Sequence, residues 1–214
     1  MTGTRWDARR FAVDAETLAR RLLGARLVSV TRAGTRVAGV IVETEAYIGV
    51  HDMASHAARG RRTARNEAMY ARPGTAYVYF TYGMHHCFNV VCGAEGEPAA
   101  VLIRALRPEE GLALMRRRRG PQADERSLCA GPGRLCRALA IDRRRNGLDL
   151  TQSPWLFIEA GRAARNPVRT ARIGVGYAGE WASAPLRWLV RGDPHVSVGV
   201  KGGRNLLPAT GEGR

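Results

Sequence analysis

The chain has 214 residues, 45% of them hydrophobic, and 34 Lys and Arg against 19 Asp and Glu give it a formal charge of +15. That length and apolar content suit a single globular domain with a sizeable core. No apolar run approaches the roughly 20 residues of a membrane span, and the N-terminal M-T-G-T-R-W-D-A-R-R lacks the apolar stretch of a signal peptide. Four cysteines (Cys87, Cys92, Cys129, Cys136) are too few for a disulfide framework, so a reducing cytoplasm is expected, nucleoid-associated if the partner is DNA. Lys201 is the one lysine, and all other basic residues are arginine. Such a surface fits a polyanion partner, and arginine-rich composition alone would produce it too.

In chain order, Asp14 is placed to cap a helix through Leu23, with Leu18, Leu22 and Leu23 on one face and Gly24 as its stop. Residues 27–31 and Arg36–Tyr47 read as two strands joined at Ala33-Gly34, a hairpin. If the second strand is regular, Glu43, Glu45 and Tyr47 share one face. Residues 49–65 form a polar, Arg-rich loop with His51 and His56, of a length that is often functional inside a compact domain. A helical turn over 66–71 and a turn at Pro73-Gly74 lead to a strand over 75–82, with Tyr77 and Tyr79 on one face. Residues 88–92 and 99–106 are further strands, which puts Arg104 near a strand end. Pro108 is expected to open a helix with Glu109 and Glu110 in its first turn and Arg116 to Arg119 at its end. Gly131-Pro132 precedes a second short helix through Leu139, and Arg143 to Arg145 are another basic cluster. Residues 157–159, 172–176 and 186–190 are weaker strand candidates. The organisation expected is one mixed α/β domain of the α+β type over 14–198, with an N-terminal extension (1–13) and a flexible C-terminal tail (199–214).

Gly174-Val-Gly176-Tyr-Ala-Gly179 matches the dinucleotide fingerprint letter for letter. No strong strand precedes it and Pro185 cuts short any helix after it, so a glycine turn is expected and no nucleotide cofactor. The cysteine spacings, with His85-His86 nearby, are not the tight pairs of a structural zinc site; buried free thiols are expected and no metal. Schiff-base chemistry needs an amine, and Lys201 lies in the tail, so a water activated by a carboxylate is the simpler mechanism. What remains is Glu45 beside Tyr47, His56 on a loop, Tyr77, Tyr79 and Tyr82 on one segment and Arg104 on another. Aromatic rings in a basic chain are how a protein holds an unstacked base, and a carboxylate at that pocket can do chemistry on it. A packed core would use the same tyrosines, and the strand face does not separate Glu43 from Glu45.

The ordered motifs V-E-T-E-A-Y (residues 42–47), R-x-x-R-N (62–66), P-G-T-x-Y-V-Y (73–79), Y-G-M (82–84), L-I-R-A-L (102–106), L-C-A-G-P-G-R-L-C-R-A-L (128–139), G-V-G-Y-A-G-E-W (174–181) and P-L-R-W-L-V-R-G (185–192) resemble the alkyladenine (3-methyladenine) DNA glycosylase family. The resemblance covers roughly residues 14 to 198 and, because several separate motifs occur in one order, it is specific. It implies a single domain on a curved, mainly antiparallel sheet flanked by helices. It also implies excision of alkylated or deaminated purines from damaged double-stranded DNA; with the near absence of lysine, a monofunctional enzyme without cofactor or lyase step is expected, and a monomer suffices to read one damaged nucleotide. Carried onto this chain, it makes Glu45 the general base and has Arg104 help hold the water. Tyr47, His56, Tyr79, Met84 and Asn89 become the base pocket, with Asn89 discriminating among purines, and Tyr82 the wedge inserted in the duplex. The chain departs from the family pattern at Ala57-Ala58-Arg59 and at His85-His86, which flank this pocket and leave lesion preference open. Two competitors predict different behaviour: a catalytically silent nucleic-acid-binding module, with salt-sensitive binding and no product, and a metal-dependent hydrolase, inhibited by a chelator.

Overall fold

The computed structural model describes residues 3–81 and 83–199, and the backbone of 207–208. Among them, nine strands form one curled antiparallel sheet: β1 (Arg26–Val30), β2 (Arg36–Tyr47), β3 (Ala76–Thr81), β4 (His85–Cys92), β5 (Ala99–Glu110), β6 (Leu156–Glu159), β7 (Pro167–Thr170), β8 (Arg187–Val190) and β9 (Leu207–Pro208). The main order is β3-β4-β5-β2-β8-β7-β9, and β1 joins β2 to β6. Strand β2 organises the sheet. Along one side it pairs with β5; on the other, β1 takes residues 36–40 and β8 takes residues 43–45. The helices are α1 (Ala8–Phe11), α2 (Ala15–Leu22), α3 (Leu112–Arg119) and α4 (Pro132–Leu139).

Local chemistry explains most boundaries. The Asp14 carboxylate accepts the Thr17 N–H at 2.8 Å and opens α2, whose Leu18 and Leu22 are fully buried against the sheet. Gly24, at φ +90°, ends that segment where a Cβ would lie 2.0 Å from the Arg162 carbonyl oxygen. Pro132 stands at the first turn of α4, as its fixed φ favours. One core of Phe11, Leu18, Phe88, Ile103, Leu106 and Met115 lies between the sheet and the helices; Cys92, Cys129 and Cys136 belong to it, and these three and Cys87 are all buried free thiols. The N-terminal segment contributes to this core, with Trp6 and Phe11 buried and Arg5 donating to the carbonyls of Leu150 and Ser153. No helix among the described residues is long and apolar enough to cross a membrane.

Three expectations are corrected. Pro108, Glu109 and Glu110 extend β5 and do not open a helix. Pro108 lies opposite Gly39 at a register shift, a place where a strand tolerates its missing N–H. Glu109 and Glu110 pair across the sheet with Arg26, and Glu110 also accepts from Arg36 at 2.9 Å. The helix begins only after Gly111, whose left-handed backbone (φ +75°) turns the chain out of the strand. Arg104 consequently sits inside β5 and not at its end. Residues 172–176 are not a strand: β7 ends at Thr170, the Arg172 side chain turns into the interior, and the glycine-rich segment becomes a 3-10 turn over Gly176–Ala182. Of the expected tail, residues 207–208 add a short strand to β7; Lys201 lies outside the described residues.

The arginine runs have structural partners of their own. At the end of α3, Arg118 donates to the Ala138 carbonyl, Arg119 to that of Leu128, and Arg116 pairs with Glu125.

Candidate active site

Register assembles the site. Tyr77 on β3 pairs with Asn89 on β4, Asn89 with Leu102 on β5, and Leu102 with Glu45 on β2, so one row crosses four strands. Directly opposed residues share a face of a sheet, and so do residues two apart on a strand. The row therefore places Tyr79, Tyr47 and Arg104 beside it on the same side. Tyr77 with Tyr79, and Glu43 with Glu45 and Tyr47, are brought together as the alternation predicts, although β2 carries register shifts around Glu43.

The two glutamates differ in what they touch. Both are fully buried. Glu43 binds arginines: its Oε1 accepts from Arg187 Nε at 2.6 Å, Arg104 Nε at 3.1 Å and Ser197 Oγ at 3.0 Å, and its Oε2 from the Ser197 N–H at 2.6 Å. Glu45 faces the aromatic cluster. Its Oε1 accepts the Ile173 N–H at 2.7 Å, and its Oε2 accepts the Tyr47 hydroxyl at 3.0 Å and lies 3.2 Å from Arg104 Nη1. Three donors thus converge on Glu45, and its oxygens keep lone pairs for a water. Burial, with the Glu45 anion beside it, holds the Tyr47 phenol protonated well above its ordinary range, so it is a standing donor.

Next to this carboxylate is a cavity of about 40 Å³ lined by Tyr47, His56, Tyr77, Tyr79, Asn89 and Tyr177, with Ala54, Met69 and Ala100 completing the wall. That space holds a few waters, not a purine, so a base must displace part of the wall. Tyr177 is the wall's most exposed aromatic (73%) and closes one side through a 3.3 Å hydrogen bond to the Ala54 carbonyl. Asn89 is held by its Nδ2 donating to the Tyr77 carbonyl at 3.1 Å. The Tyr79 phenol meets the Cys87 thiol across the strand pair, and burial pushes that thiol up.

His56 shares a 2.7 Å hydrogen bond with the Tyr77 hydroxyl and stands edge-on to Tyr79, ring centroids 4.5 Å apart. Burial, reinforced by Arg65 and Arg61, lowers its pKa to about 4, so near neutrality it is an uncharged ring with no proton to give a leaving base. Linkage gives this a sign. The folded value lies below the ordinary 6.5, so between the two the unfolded chain binds the proton more strongly. Stability is then full above about pH 6.5 and falls as pH drops toward 4, by at most about 3 kcal/mol. Urea unfolding at pH 7 and pH 4.5 should show this loss in the wild type and a flatter dependence in His56→Gln; identical slopes would assign the acid limb to another group.

Not every expected residue joins the cavity. Met84 is 69% exposed at the β3–β4 turn and lines a separate groove with His85 and His86. Tyr82, the expected wedge in that same turn, lies outside the described residues. Tyr177, Ile173, Asp52 and Arg172 had not been singled out. Ile173 and Arg172 act across 128 and 120 residues of sequence, a distance at which no local pattern exists, whereas Tyr177 stands inside the glycine motif that did attract attention. Among the described residues, no group of three or more His, Cys, Asp or Glu could hold a metal ion.

The family model described as Methylpurine-DNA glycosylase (MPG) matches residues 9–194. The chain is 46% identical over 200 residues to the DNA-3-methyladenine glycosylase of Mus musculus, covering 88% of this chain and 60% of that protein. Against the Homo sapiens protein of the same name it is 46% identical over 206 residues, 91% of this chain and 68% of that one. It is also 50% identical over 196 residues to the "Putative 3-methyladenine DNA glycosylase" of Myxococcus xanthus (strain DK1622), covering 91% of this chain and 94% of the relative. The chain thus spans about three fifths of the mouse protein and nearly the whole of the bacterial one. With a match across most of its length, the chain belongs to the methylpurine-DNA glycosylase family.

Proposed function

We propose that the protein starts base excision repair as a monofunctional DNA glycosylase, removing alkylated or deaminated purines from duplex DNA. The observation that carries this reading is the Glu45 carboxylate, held by Ile173, Tyr47 and Arg104, with Tyr47 itself lining an aromatic cavity. A flipped purine displaces part of this wall and lies among Tyr47, His56 and Tyr79. Opening the cavity for the base also opens a route for one water to Glu45. The C1′–N bond of the nucleoside breaks, and its electron pair leaves with the base. The sugar passes through an oxocarbenium-like state that the Glu45 anion stabilises, and Glu45 takes the proton of the water that adds to C1′. The products are the free base and an abasic site, with the strand intact.

Specificity follows from the same walls. Flipping costs least for a damaged or mispaired base. A cationic alkylated purine is both a good leaving group and a good partner for electron-rich rings. A neutral deaminated base draws no proton from His56, whose ring is uncharged, so it depends on hydrogen bonds alone. Asn89, buried on β4 and lining the cavity, takes the role of discriminating among purines on the strength of the family resemblance. Tyr82 takes the wedge role on the strength of its motif.

The test uses end-labelled duplexes carrying one hypoxanthine or one alkylated adenine, incubated with the protein in chelator and scored with and without hot alkali. Breaks that appear only after alkali are expected. Breaks without alkali would replace the monofunctional reading with a lyase, and tight binding without any breaks would make the protein a silent binding module.

A further inference from the structure

Behind the Tyr47 ring lies an ion pair that the excision chemistry does not use. Arg172 and Asp52 are both fully buried and joined in a two-pronged contact, Nη1 to Oδ2 at 2.5 Å and Nη2 to Oδ1 at 2.8 Å. The guanidinium carbon sits 4.8 Å from the centroid of the Tyr47 ring. Tyr47 lines the cavity and Arg172 does not, so the cation occupies the ring's inner side and leaves the other side to the base. Asp52 is itself fixed by the N–H groups of Ile48 and Ala54, and Arg172 donates to the Ala46 carbonyl. The next residue, Ile173, is the one whose N–H holds Glu45.

A ring's two faces share one electron cloud, so a bare cation on one side weakens the attraction for a cation on the other. Burial leaves no water to screen it. Arg65, which lies over Tyr79 at the longer distance of 5.7 Å, is solvent-exposed, so water and salt weaken its effect on that ring. For Arg172 the compensation is Asp52. We propose that Asp52, by masking the Arg172 cation behind Tyr47, determines how well the pocket accepts a cationic purine relative to a neutral one, which makes the pair a positioning and specificity-determining element. The inference rests on the glycosylase reading above.

The experiment compares single-turnover excision of 7-methylguanine (cationic) and hypoxanthine (neutral), each from the same duplex context, and reads their ratio. The guanine amino group is present in every variant and cancels. Asp52→Asn keeps the side-chain size but unmasks Arg172, so the cationic-to-neutral ratio should fall about three- to tenfold even if both rates fall. The charge-free pair Asp52→Leu with Arg172→Met is the second variant, since replacing a buried ion pair by apolar groups is often tolerated. Its ratio should equal or exceed that of the wild type. A merely structural role would lower both rates together, so an unmoved ratio in a folded Asp52→Asn overturns the inference, as does a lowered ratio in the double variant should the single one not fold. Wild-type protein that releases neither base would overturn the glycosylase reading and this inference with it; wild-type excision with an unmoved ratio overturns this inference alone.

Discussion

Glu45→Gln should lower excision by roughly 10³-fold while leaving affinity for lesion duplex within about threefold, because it removes the base and keeps the shape. The three groups around Glu45 are all donors: the Ile173 N–H, the Tyr47 hydroxyl and Arg104. An amide can turn its oxygen to only one side. With the oxygen toward Ile173, its NH₂ meets the Tyr47 hydroxyl, which can accept, and Arg104, which cannot. Arg104 keeps its 3.1 Å contact to Glu43, so no cation is stranded. The fold should lose about 1–2 kcal/mol, the cost of one poorly matched buried hydrogen bond. Single-turnover excision on a hypoxanthine duplex and a mobility-shift titration separate the two quantities. Near-normal excision would remove Glu45 from the chemistry, and lost binding at full stability would mean that the carboxylate holds the base.

How much of this was legible depended on how local each determinant is. Strand β2 was readable to its ends because β-branched residues run through it and a glycine turn precedes it. Helices α2 and α4 were readable from Asp14, Gly24 and Pro132, which act on their own neighbours. The shared face of Tyr77 and Tyr79 follows from a period of two. Pro108 was misread because Pro followed by two acids is a helix-opening pattern; the pairing of Glu109 and Glu110 with Arg26, more than 80 residues away, overrode it. Residues 172–176 were misread because apolar Ile173 and Val175 alternate with glycines like a strand. What decides their path is the burial of Arg172 on Asp52, a contact invisible to any window along the chain. The same limit applied at the site. Period two puts Glu43 and Glu45 on one face with equal claims; the resemblance selects Glu45, and the physical difference between the two lies in their partners on β5, β8 and the segments around 173 and 197.

That difference predicts opposite phenotypes, and Glu43→Gln should cost stability where Glu45→Gln costs activity. Glu43 accepts from Arg187, Arg104 and both the Ser197 hydroxyl and N–H, so it fixes β8 and the 197–198 segment to the centre of the sheet. Arg187 also donates to the Val198 carbonyl at 2.5 Å, which makes the segment's attachment double. An amide offers one acceptor to this set of donors and leaves Arg187 a buried cation without its counter-charge. Breaking a buried pair from one side costs about 3–5 kcal/mol, much more than the pair itself is worth. Urea unfolding should show that loss, while excision per folded molecule at low temperature should fall by no more than about tenfold, through the loosened Arg104. Arg187→Met, which removes the cation and leaves Glu43 the partners Arg104 and Ser197, should cost less than Glu43→Gln. If folded Glu43→Gln were inactive and Glu45→Gln retained its rate, the base would be Glu43, and the three donors around Glu45 would be serving the fold.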